Sequence, residues 1–123
     1  RAVQELLLRS AQPTSQSLVT VLKVFQTRRA HGPGMLSFTG TGTSIALGFP
    51  NEGERTLRQL DALDEIVLGA GGKLYPAKDA RMSAASFARS FPEVEKFIEY
   101  VDPVLSSNFW RRVAPSAESA GKA

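Results

Sequence analysis

Residues 17–26, SLVTVLKVFQ, are short, β-branched and aliphatic, a composition that favours a pleated strand over a helix. A period of two puts Val19, Val21, Lys23 and Phe25 on one face and Leu18, Leu22 and Val24 on the other. Both faces are largely apolar, so this strand is predicted to be central in a sheet, with other elements covering it. Lys23 is the oddity among these neighbours.

A second strand is predicted over 43–49, where Thr43, Ile45, Leu47 and Phe49 alternate with Ser44, Ala46 and Gly48. One face is bulky and the other nearly bare, and a bare strand face lets another flat body approach closely. Between the strands, residues 27–42 (TRRAHGPGMLSFTGTG) form a long predicted loop, and loops of that length are usually functional or disordered.

The remaining pattern is helical. Val3, Leu6, Leu7 and Ser10 share a face over 1–10, and a turn cluster with Pro13 follows over 11–16. A helix is predicted over 54–68 with an apolar stripe of Leu57, Leu60, Leu63, Ile66 and Val67, ended by Gly69, Gly71 and Gly72. Residues 73–77 read as a third strand. Ser83 is placed to cap a short helix carrying Phe87 and Phe91, and Pro92 suits the first turn of the next, with Val94, Phe97, Ile98 and Val101. Asp102-Pro103 breaks that helix, and a last turn or two holds Phe109, Trp110 and Val113. The expected fold is α+β: a mixed or antiparallel sheet covered on one face by helices. Residues 1–113 make one domain, and 114–123 read as a disordered tail. The opening RAVQELLLRS begins inside a helical pattern without an initiator Met, and the expectation is a piece of a longer protein.

Composition removes several kinds of chemistry. The chain has 123 residues with no Cys and one His, which excludes disulfides, cysteine nucleophiles, thiolate metal sites and a histidine-built metal centre. No apolar run approaches the ~20 residues that span a bilayer, and a cytoplasmic protein is expected, with any membrane association coming through the longer parent. A net charge of +3 is too small to point to nucleic acid, so Arg28-Arg29 and Arg111-Arg112 read as solvated surface. His31 sits in a Gly/Pro loop and reads as surface. GTGTSI at 40–45 and GAGGKL at 69–74 lack the glycines or hydroxyls of phosphate-binding loops. Asp61, Asp64 and Glu65 read as the polar face of a helix.

Two features remain. Lys23 lies between Val21 and Phe25 on a strand face, and GGKLYPAKDAR at 72–81 crowds Tyr75, Lys78, Asp79 and Arg81 together. The residues alone leave two readings open: a snorkelling lysine with a salt-bridged turn, or a binding site.

The stretch GGKLYPAKDARMSAASFARSFPEVEKF, followed by VDP and SSNFWRRV, closely resembles the C-terminal end of the vanillyl-alcohol-oxidase-type flavoproteins, and among them the aldonolactone and decaprenylphosphoryl-ribose oxidases. VLKVF at 21–25, MLSF at 35–38 and IALGFP at 45–50 fall in register with that family. The resemblance implies the cap, or substrate, domain of an enzyme whose FAD is held by a separate N-terminal domain. It implies substrates of the sugar, alditol or aldonolactone class, and the FAD-binding domain of the same parent as partner. Lys78 would be the cation beside the flavin, serving both catalysis and cofactor binding. Lys23, Phe25 and Tyr75 would line the substrate pocket, with small Ser44 and Ala46 leaving room for ring and substrate. Ser44, Ala46 and Gly48 depart from the Asn, Cys and Asp of the ribose oxidases, which implies a different substrate choice. The chain alone is expected to be inactive, and the surface it exposes without its partner favours self-association. The alternative is a stand-alone α+β module binding a small acidic ligand without catalysis.

Overall fold

In a computed structural model that describes residues 1–12, 16–26, 34–78 and 81–115, the chain begins with helix α1 (Ala2–Ser10). Leu6 and Ser10 are its buried residues, one turn apart on the predicted face. The Ser10 hydroxyl donates to the Leu7 carbonyl at 3.0 Å, which satisfies a carbonyl near the helix end.

Strands β1 (Val19–Phe25) and β2 (Gly42–Gly48) pair antiparallel. Ser17 fastens the open end: its Oγ donates to the Val19 carbonyl at 2.8 Å and accepts from the Gly48 amide at 3.2 Å. The expectation of a central strand is overturned. The sheet has two strands, so among the described residues each has one unpaired edge, and β1 is exposed along almost its whole length. Leu18 is 75% exposed, Val19 60% and Val24 75%. An apolar pattern on both faces favours a strand but does not set how many neighbours it has, and among the described residues β1 pairs with β2 alone.

After β2 the chain turns through Asn51, whose Oδ1 accepts from the Gly53 amide at 3.0 Å. Gly53 sits at φ +70°, a backbone conformation that side chains resist. Helix α2 (Glu54–Gly69) begins there without a side-chain N-cap. Buried Thr56, in its first turn, substitutes: its hydroxyl accepts from the Glu52 amide and donates to the Pro50 carbonyl, both at 3.0 Å. Leu63 of the expected stripe is buried, as is Leu68 at the helix end, whereas Leu57 of that stripe is exposed, and α1 packs against the helix. Its end is a Schellman motif: the Gly71 amide donates to Leu68 O at 3.1 Å and the Gly72 amide to Val67 O at 2.8 Å. Gly71 has φ +72°, and a Cβ on Gly72 would sit 2.8 Å from Val67 Cγ1. Both glycines are required by geometry.

Residues 73–77 do not form the predicted third strand. The Leu74 amide donates to Ser90 Oγ at 3.1 Å instead of to a neighbouring strand, and Pro76 opens a 3-10 turn over Pro76–Lys78. Proline has no N–H to give a ladder, so the alternating pattern ends there.

The second half holds the main core. Helix α3 (Ala84–Ser90) is capped as predicted, Ser83 Oγ accepting from the Ser86 amide at 3.1 Å. Helix α4 (Val94–Ile98) starts two residues after Pro92 and stops before Val101, shorter than the sequence pattern implied. Helix α5 (Asn108–Val113) is capped by Ser107 through the Trp110 amide. Met82, Phe87, Phe91, Val94 and Val113 pack together, with Leu36, Leu74, Phe109 and Trp110 around them. Phe87 is the hub: its ring lies 5.0 Å from Phe91, 5.6 Å from Phe109 and 6.3 Å from Trp110. The latter two contacts are edge-on, the arrangement that ring quadrupoles favour.

The fold class is α+β, with two antiparallel strands and five α-helices among the described residues. No described helix is long and apolar enough to cross a membrane. Arg28, Arg29, His31, Asp79 and most of the predicted tail lie outside the described residues.

Candidate functional site

In an antiparallel pair, residues directly opposite each other point to the same side. The register sets Lys23 opposite Ser44, Val21 opposite Ala46, Phe25 opposite Gly42 and Val19 opposite Gly48. Four predicted site residues, Lys23, Phe25, Ser44 and Ala46, therefore share one face of the sheet. β1 contributes a cation and an aromatic ring to that face, and β2 contributes nothing larger than a serine. Lys23 and Ala46 are exposed, and Phe25 and Ser44 half-buried. The opposite face carries Leu22 against Ile45 and Thr20 against Leu47, and is the bulkier face of β2.

Tyr75 and Lys78 belong to a different part of the chain. Tyr75 is exposed, its ring 5.0 Å from Phe38 at a tilt of 58°. Lys78 is exposed at the end of the 3-10 turn. Among the described residues, no hydrogen bond, ion pair or ring contact ties either to the Lys23 face. The structure thus assembles four of the six predicted residues into one surface and sets the other two on a separate turn.

Described residues on either side of that turn are anchored. At the leading end, the Leu74 amide is held by Ser90, and Lys73 Nζ donates to the Ser37 carbonyl at 2.8 Å while lying 5.5 Å over the Phe91 ring. At the trailing end, Arg81 reaches two carboxylates of α2, bonding Asp61 through Nη1 and Asp64 through Nη2 at 2.7 Å. Arg89 of α3 binds Glu65 at 3.2 Å. The α2 carboxylates, read from sequence as a plain polar face, hold the segment that follows. Asp61 and Asp64 stand three residues apart on a helix and so share a face, a spacing that marks them in the sequence, although their partner is not local. Arg112 is exposed, as expected, and also makes contacts within the chain. Its Nε donates to the Met82 carbonyl at 3.0 Å and its guanidinium lies 5.6 Å from the Phe109 ring.

A described pocket lies elsewhere. It is a shallow, open, largely apolar depression of about 530 Å³ lined by Gly34, Met35, Leu36, Ser37, Phe97 and Tyr100. None of the predicted site residues borders it. The Lys23 face is an open surface, which fits a site completed by something laid against it better than one enclosed by this chain.

The chain is 35% identical over 106 residues, 79% of its length, to decaprenylphosphoryl-β-D-ribose oxidase of Mycolicibacterium smegmatis. It is also 35% identical over 86 residues, 66% of its length, to an uncharacterised protein of the mprA 5′ region of Streptomyces coelicolor. The matches span only 21% and 23% of those proteins. No protein-family model matches the chain. The similarity points to an oxidoreductase lineage and to a segment of such a protein.

Proposed function

We propose that this chain is the substrate-binding cap of a longer FAD-dependent oxidoreductase that oxidises a CH–OH group of a sugar, alditol or aldonolactone. The observation that carries the proposal is the β1–β2 face. A lysine, an aromatic ring and a hydroxyl are presented there beside Ala46, Gly42 and Gly48, and the likeness to an oxidase supplies the reaction class. Small side chains on β2 leave room for a planar ring system to approach, so the residues present fit a flavin and a polyol layered on this face. FAD, bound mainly by another domain of the same parent, would accept the hydride from the carbinol carbon.

The chain's own residues then bind and orient. The Lys23 ammonium has three donors for polyol hydroxyls or a lactone carbonyl. The Phe25 ring covers an apolar sugar face, and Ser44 Oγ both donates and accepts. Ala46 contributes space. Lys78 supplies positive charge near the flavin, where a preorganised cation favours the reduced, negatively charged ring. Tyr75 lines the same approach. In this reading the exposed apolar side chains of β1 meet the rest of the parent.

Anaerobic titration of the purified full-length parent tests the reading. The proposal predicts a yellow protein whose flavin absorbance is bleached by at least one alditol, aldose or aldonolactone. A parent without flavin, or a flavin that none of the three classes bleaches, contradicts it, and the first outcome favours a ligand-binding module without catalysis.

A further inference from the structure

Lys78 sits on a short turn between two fixed points, and the two are fixed by different forces. The leading end is tied to neutral partners, by the Leu74 amide on the buried Ser90 hydroxyl and by Lys73 on the Ser37 carbonyl and the Phe91 ring. The trailing end is tied by Arg81, whose guanidinium bridges Asp61 and Asp64, immediately before buried Met82. Arg81 and Asp64 are largely shielded, with side chains 26% and 24% exposed. A planar guanidinium engaging two carboxylates through separate nitrogens is geometrically restrictive in a way that a lone surface pair is not.

We propose that Arg81 is a positioning residue: by bridging Asp61 and Asp64 it fixes the turn that carries Lys78 and so sets where that ammonium stands. The inference rests on the reading that Lys78 faces the flavin. Helix α2 would then act as the reference body for the catalytic cation, although none of its side chains touches substrate. Displacing a catalytic group by about 1 Å costs up to ~100-fold in rate, so a loosened clamp lowers turnover without removing a reacting group.

The test uses the flavin-containing full-length parent with the paired change Asp61→Asn and Asp64→Asn, the single change Lys78→Ala, and all three combined. The clamp variant is expected to slow substrate-driven flavin reduction roughly 10- to 100-fold at saturating substrate, with flavin content unchanged. Added to Lys78→Ala, it is expected to slow nothing further, because the group it positions is gone. Amide exchange over residues 74–78 should rise in the clamp variant while Leu63 and Leu68 keep their protection. Arg81→Lys, which retains the charge but not the fork, should give a smaller loss and keeps the test open if the paired variant folds poorly. An unchanged rate in the clamp variant, or full additivity with Lys78→Ala, overturns the positioning role alone. A Lys78→Ala protein reduced at the wild-type rate overturns the underlying reading and this inference with it.

Discussion

Phe91 shows how much a single side chain decides in this chain. It is fully buried, contacts the Phe87 ring and lies beneath the Lys73 ammonium. Truncation to Ala removes the ring and leaves a cavity, a loss of ~3–5 kcal/mol, which urea unfolding should read as a lowered midpoint. Ser83 is a smaller lever: its one cap bond to the Ser86 amide makes Ser83→Ala worth ~1 kcal/mol by the same measurement. At this scale the sequence was informative wherever the chemistry was local. The Ser83 cap and the apolar spacing of Phe87, Phe91 and Val94 follow from neighbours within a turn or two. Arg81 with Asp61 and Asp64, Lys73 with Ser37, and Arg112 with Met82 join residues about 17 to 36 positions apart, and nothing local foretells which cation meets which oxygen.

Among the elements, α2 was the most legible because its periodicity, length and terminal glycines agree. The Schellman end makes a sharp prediction. Gly71→Ala places a Cβ on a residue at φ +72° and should cost ~1 kcal/mol, whereas Gly69→Ala, with no atom near its hypothetical Cβ, should be neutral or slightly stabilising. Thermal unfolding of the two variants separates them. The strands were legible in a different way. Alternation correctly assigned which residues share a side, and the observed register put Lys23 across from Ser44. What alternation does not contain is the number of neighbours a strand will have, so the pattern predicts β1 at the centre of a sheet, whereas among the described residues it has an open edge. Residues 73–77 failed for the converse reason: their pattern suits a strand, but the Leu74 donor goes to Ser90 and Pro76 supplies none. An unprotected edge with exposed Leu18, Val19 and Val24 is prone to pairing with another chain. The isolated chain is accordingly predicted to self-associate with rising concentration in sedimentation velocity, and Val24→Lys should reduce that association.

For the whole molecule, the arrangement divides support from function. The aromatic core over 82–113 and the α1–α2 pair hold the chain together, while the Lys23 face and the Lys78 turn stay open to whatever is laid on them. The chain matches 21% of an oxidase and leaves Lys23 and Lys78 exposed, and the proposal is that this part closes over a flavin held by another domain. Lys78 is the residue on which that account turns. The decisive measurement is anaerobic stopped-flow reduction of the full-length protein's flavin by its substrate, comparing wild type with Lys78→Ala at equal flavin content. The account predicts a variant that folds and carries flavin but is reduced at least ~10-fold more slowly, as expected when a preorganised charge is removed from a reacting centre. Reduction at the wild-type rate would contradict it.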